Sequence, residues 1–117
     1  MTQQQFIEAI QQLNIQLTAV QVEQFKKYME LLVEWNEKMN LTAITDEEQV
    51  WEKHFYDSIL PFSKVHFETM CDVGSGAGFP GIPVQIVFPN VHMTLVEPLQ
   101  QRCRFLNEVK EQLGLIN

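Results

Sequence analysis

The residues of this chain best suited to chemistry are one glycine-rich stretch and one distant acid. Asp72-Val73-Gly74-Ser75-Gly76-Ala77-Gly78-Phe79-Pro80-Gly81 sets three alternating glycines behind a short apolar run, and Glu97 closes the next apolar run. A glycine turn between a strand and a helix lets the backbone approach a ligand and aims unpaired N–H groups at an anion or a polar nucleoside. Two patterns overlap here. Residues 76–81 fit the G-x-G-x-x-G of dinucleotide sites, whereas residues 72–78 fit acid-x-G-x-G-x-G. Charge distinguishes them, because a pyrophosphate disfavours a neighbouring carboxylate and a zwitterionic ligand does not. Asp72 can hold the loop's own amides or reach, through water, the ammonium of an amino-acid tail, which favours an aminoacyl nucleoside. Glu97 can accept both hydroxyls of a ribose, as either ligand requires. The plainer alternative is that both acids only cap loops.

The elements that must position these residues fall into two parts. All five glycines follow Cys71, and the first 69 residues hold no glycine and a single proline, Pro61. The first part is therefore expected to be helical. Phe6, Ile7, Ile10 and Leu13 repeat at helical spacing behind a cap at Thr2, and Asn14 breaks the pattern. Thr18-Ala19-Val20-Gln21 fits a capping box, and the stripe Val22, Phe25, Met29, Leu32, Trp35/Asn36 and Met39 predicts a helix of about six turns. Thr45-Asp46-Glu47-Glu48 opens a third helix that carries Val50, Trp51, His54, Phe55, Ser58 and Ile59 and stops at Pro61. In the second part, residues 69–73 read as a buried strand and 82–88 as a helix with Pro83 in its tolerant first turn. A second strand follows at 91–96, then a helix at 99–113 with Gly114 as its stop. This order is a βαβα unit with parallel strands.

Composition narrows the function. Fifteen acids against eight bases give a formal charge of −7, and six of those net charges belong to residues 1–69, so the chain lacks a basic footprint for a phosphate backbone. Neither an apolar run long enough to span a membrane nor a signal-peptide pattern is present, and the expected compartment is the cytoplasm. Cys71 and Cys103 form no metal or disulfide pattern and are read as small buried apolar residues, with no metal expected.

Several segments resemble the glucose-inhibited division protein B family, bacterial methyltransferases that modify N7 of a guanine in 16S ribosomal RNA. The resemblance is carried by Trp35-Asn36, residues 40–44 (Asn-Leu-Thr-Ala-Ile), residues 54–59 (His-Phe-Tyr-Asp-Ser-Ile), residues 72–83 with their Phe79-Pro80-Gly81-Ile82-Pro83 extension, Leu95-Val96-Glu97, and residues 102–106. It implies a class I S-adenosylmethionine-dependent, Rossmann-like methyltransferase fold, α/β, behind an amino-terminal helical extension, with the parts at 1–66 and 67–117. It also implies cofactor contacts from Asp72, Gly74, Ser75, Gly76, Gly78 and Phe79, ribose binding by Glu97, and 16S ribosomal RNA or the small ribosomal subunit as partner. For the full protein a monomer is expected. Because guanine N7 bears a lone pair and no proton, no general base is needed and catalysis is mostly placement.

His54, Asp57 and Ser58 share one helical face by i, i+3, i+4 spacing and are candidates for RNA contact or for support of the cofactor loop, as are Asn40 and Arg102. Each has an alternative: an interior histidine, a backbone-bonding aspartate, a loop-fixing Asn40 and Thr42, and a solvated Arg102, Arg104 and Lys110 face. Two strands are too few for an open α/β sheet, and residues 115–117 look like the approach to a third. The chain is therefore expected to be the amino-terminal, cofactor-binding half of its protein. Competing readings are a nucleotide-dependent oxidoreductase built on the same unit and a non-catalytic interaction or folding fragment.

Overall fold

The computed structural model describes residues 1–42 and 46–115. Helix α1 spans Gln3–Gln12, and Thr2 Oγ1 accepts the Gln5 N–H at 3.1 Å while Gln5 Oε1 takes the Thr2 N–H at 2.8 Å. The same reciprocal box starts α2, Ala19–Asn36, through Thr18 and Gln21. Each cap contributes about 1 kcal/mol. Between the two helices the chain turns at Asn14, whose φ of +64° is one that asparagine tolerates.

Helix α2 has 18 residues, five turns rather than the expected six. Asn36 ends it: its Oδ1 accepts the N–H groups of Leu41 at 2.8 Å and Thr42 at 3.0 Å, offering the backbone an alternative to helix. A third helical segment, α3 at 47–62, is capped by Asp46, whose carboxylate accepts the Glu48 N–H at 2.9 Å. Thr45, the expected cap, lies outside the described residues. The winding of α3 changes along its length. An α-turn at Glu47–Gln49 gives way to a π-helix at Val50–Tyr56, with the Asp57 N–H bonded to Glu52 O, then to an α-turn at Asp57–Ile59 and a 3-10 turn at Leu60–Phe62.

Strands β1, Thr69–Val73, and β2, His92–Val96, pair in parallel from Thr69↔His92 to Val73↔Val96. Helix α4, Gly81–Val87, with Pro83 in its first turn, connects them. Helix α5, Gln100–Leu113, follows and stops at Gly114 in the left-handed conformation. Side chains alternate across the sheet. Met70, Asp72, Met93 and Leu95 turn to the covered face, whereas Thr69, Cys71, Val73, His92, Thr94 and Val96 are exposed. The expectation of a buried β1 is thereby corrected, as is that of buried cysteines: Cys71 is exposed and Cys103 half-buried. A parallel sheet buries both faces only where elements cover both, and among the described residues only one face is covered.

One core joins the two parts of the chain. Phe6 meets Phe25 at 5.0 Å and Trp51 at 5.1 Å, and Tyr28 stacks on Phe55 at 5.2 Å and faces Phe105 at 6.4 Å. Such aromatic pairs add about 0.5–1.5 kcal/mol each beyond the area they bury. Helix α2 also satisfies the carbonyl ends of its neighbours. Gln21 Nε2 donates to Ile86 O at 3.0 Å on α4, and Gln24 Nε2 donates to Leu113 O at 2.9 Å on α5. The helical prefix is thus built into the floor beneath the glycine turn.

Candidate functional site

The turn after β1 is fixed mostly by its own backbone. Gly74 N–H donates to Val96 O at 2.6 Å, and Ser75 O accepts the N–H groups of Gly78 at 2.9 Å and Phe79 at 3.2 Å. From below, the Tyr28 hydroxyl donates to Ala77 O at 2.5 Å. Burial, with Asp72 nearby, pushes the Tyr28 phenol well above its ordinary pKa, so it remains a donor. Gly74 and Gly76 adopt φ of +72° and +59°. A β-carbon at Gly74 would meet nothing within 4 Å, and one at Gly76 only Arg102 Nη1 at 3.8 Å. The turn therefore presents an open backbone surface on this side. Ser75 Oγ, beside it, is buried without a hydrogen-bond partner among the described residues.

Gly78 faces the other way. A β-carbon there would stand 2.6 Å from Ile82 Cγ1 and 2.8 Å from Tyr28 Oη, so this position admits the core rather than a ligand on its β side.

The two acids flank the turn. Asp72 is 7% exposed, and its Oδ2 accepts the Gly81 N–H at 3.0 Å, tying the end of β1 to the start of α4. Burial raises its pKa above the ordinary carboxylate value, and the Gly81 bond opposes that rise. Because folding raises this pKa, stability falls as pH climbs from the ordinary value through the raised one, and above that window the buried charge is a standing cost. Asp72→Asn removes the charge while its Oδ1 still accepts the Gly81 N–H. It is expected to melt slightly above the parent at pH 7, the difference closing below the window; a lower melting temperature at pH 7 contradicts this.

Glu97 is the more connected acid. Its Oε2 accepts the Leu99 N–H at 2.9 Å and its Oε1 the Gly76 N–H at 2.8 Å, with Arg102 Nη1 3.9 Å from Oε1. The Leu99 amide, then Gly76 and Arg102, hold its pKa below the usual range against the effect of burial. Each carboxylate oxygen keeps a further lone pair for a ligand hydroxyl.

A second group gathers around Phe79. The His54 ring stacks on Phe79 with centroids 4.2 Å apart and planes 4° from parallel, and its Nε2 lies 2.7 Å from Thr42 Oγ1. Burial lowers the His54 pKa and Asp57 partly restores it. The Ser58 hydroxyl donates to His54 O. His54, Asp57 and Ser58 line one cleft with Lys53, Phe79 and Pro80, although a π-helical turn rather than α spacing brings them there. Asn40 is exposed in a separate cleft with Asn36 and Thr42.

Two residues absent from the sequence-based candidates prove central to the geometry. Tyr28 holds the turn, and Asn36 rather than Asn40 fixes the loop that follows α2. Tyr28 sits three residues after Phe25 on the apolar stripe, and a hydroxyl in such a place needs a partner. That was the available signal.

Residues 21–117 match the model of the family described as GidB, rRNA small subunit methyltransferase G. The chain belongs to the GidB family. Its curated relatives include proteins named ribosomal RNA small subunit methyltransferase G: one from Lysinibacillus sphaericus, 57% identical over 100% of this chain, one from an Exiguobacterium species, 54% over 98%, and one from Bacillus pumilus, 53% over 96%. The matches cover 50%, 50% and 48% of those proteins, so the chain spans about half their length. GidB membership bears out the family resemblance and the class I methyltransferase fold. No cluster of metal-ligating side chains occurs among the described residues, and no described helix is long and apolar enough to cross a membrane.

Proposed function

We propose that this chain is the cofactor-binding part of a cytoplasmic methyltransferase that modifies guanine N7 in 16S ribosomal RNA, free or in the small subunit. The observation that carries the reading is the open backbone surface at Gly74 and Gly76, bounded by the Glu97 carboxylate. The relatives' names supply the reaction class. S-adenosylmethionine, when bound, supplies the methyl group. The residues fit such a ligand: two glycines whose β side is open, a buried Ser75 hydroxyl without a hydrogen-bond partner among the described residues, and an acid with lone pairs to spare. Gly74, Ser75 and Gly76 would hold the methionine side, Phe79 would pack at the mouth of the turn, and Glu97 would take the ribose. Asp72 and Gly78 serve the turn from beneath, through the Gly81 amide and through the room left for Ile82 and Tyr28.

The division into a helical extension at 1–66 and a βαβα unit at 67–117 belongs to this proposal, as does RNA binding largely by residues beyond these. Guanine N7 has no proton to lose, so the chain's task is to place and shield rather than to remove a proton. Competition binding on a full-length protein carrying these residues tests the cofactor. S-adenosylmethionine is expected to bind stoichiometrically and to resist displacement by NAD; preferential binding of NAD overturns the reading.

A further inference from the structure

Three segments far apart in sequence meet in one run of side-chain contacts. Asn36, at the end of α2, fixes the backbone of Leu41 and Thr42 through its Oδ1. The Thr42 hydroxyl lies 2.7 Å from His54 Nε2, and the His54 ring lies flat on Phe79 at 4.2 Å. Phe79 is tilted against Tyr28 at 5.7 Å and Phe55 at 6.1 Å on the core side. Its own N–H is bonded to Ser75 O, inside the glycine turn. The Phe79 ring is therefore held between the core rings and an imidazole whose rotation is set by a hydroxyl.

We propose that His54 is a positioning residue for the cofactor turn, acting through Phe79, with Thr42 and Asn36 setting the orientation of its ring. The core rings hold one side of the Phe79 phenyl and the imidazole the other, and a half-buried imidazole can exchange between staggered rotamers unless a hydrogen bond stops it. The Thr42 contact supplies that stop. Helical prefix and glycine turn are thus linked along a route separate from the Tyr28 bond to Ala77 O. The inference rests on the turn binding S-adenosylmethionine, as proposed above.

The test uses a full-length protein carrying these residues, with S-adenosylmethionine as the titrant in calorimetry and steady-state kinetics on ribosomal RNA. His54→Ala is expected to weaken cofactor binding about tenfold, raising KM for the cofactor while leaving KM for RNA unchanged. His54→Phe, which keeps a flat ring on Phe79 but has no nitrogen for Thr42 to hold, recovers only part of that loss. Thr42→Val weakens binding in the parent and weakens it less in the His54→Phe background, because the part of its effect that runs through the ring nitrogen is then absent. Equal affinities for parent, Thr42→Val and His54→Ala, or additive effects of Thr42→Val and His54→Phe, overturn the proposal. If His54→Ala does not fold, the Thr42→Val and His54→Phe cycle alone decides it. Failure of the parent itself to bind S-adenosylmethionine is a separate result, which overturns the cofactor reading and this inference with it.

Discussion

Gly78→Ala is expected to destabilise the chain by about 2–5 kcal/mol, the sum of a left-handed backbone penalty and an overpacked core. Gly78 has φ of +98°, and the added methyl would press on Ile82 at 2.6 Å, Tyr28 Oη at 2.8 Å and Leu106 at 3.1 Å. Tyr28 cannot retreat without releasing Ala77 O, which would leave a carbonyl in the core unbonded. Gly74→Ala is the control. It shares the positive φ and meets nothing within 4 Å, so only the conformational cost of about 1–2 kcal/mol applies. Urea denaturation of the three proteins separates the two contributions. Equal losses at Gly74 and Gly78 would mean that the packing beneath the turn is looser than described.

Glu97→Ala is expected to lower affinity for S-adenosylmethionine about 100-fold in a full-length protein, the loss that follows when two charge-assisted hydrogen bonds to a ligand are removed. The side chain acts in two ways. It offers lone pairs to the ligand, and it fixes the Gly76 and Leu99 amides that shape both walls of the site. Glu97→Gln tests the two together. Gly76 and Leu99 are bonded to different oxygens, so in the glutamine an NH2 replaces one of them and faces a backbone N–H; that bond is lost along with the charge, and binding should fall nearly as far as with alanine. Calorimetry that finds parent affinity in Glu97→Gln would show that neither the charge nor the second acceptor matters.

Much of the scaffold was legible because its determinants are local. Thr2 with Gln5, Thr18 with Gln21, Pro83 in a first turn and Gly114 at a helix end act within a few residues of themselves, and the strands and helices after residue 69 lie within a residue of expectation. The errors share a cause. Helix α2 ends early because the Asn36 side chain folds back onto Leu41 and Thr42, which periodicity does not register. The π-helical winding at Val50–Tyr56 has no short-range signature, since Trp51 and Phe55 read equally well as an α stripe. Exposure of Cys71 depends on which elements cover a sheet face rather than on the residues of β1.

In the site, the glycine turn and its acids were visible as a motif, but their partners were not. Sequence could place Asp72 and Glu97 at strand ends; only packing shows that one is bonded to Gly81 and the other to Gly76 and Leu99. The stack of His54 on Phe79 joins segments that the sequence presents as separate motifs.

The most direct test of the account is transfer of labelled methyl from S-adenosylmethionine to 16S ribosomal RNA by a full-length protein carrying these residues, with the product located by the strand cleavage that N7-methylated guanine permits. Label is expected at a guanine N7 and is lost in Glu97→Ala and in Gly76→Arg. Label on another atom, or transfer undiminished in both variants, would contradict it.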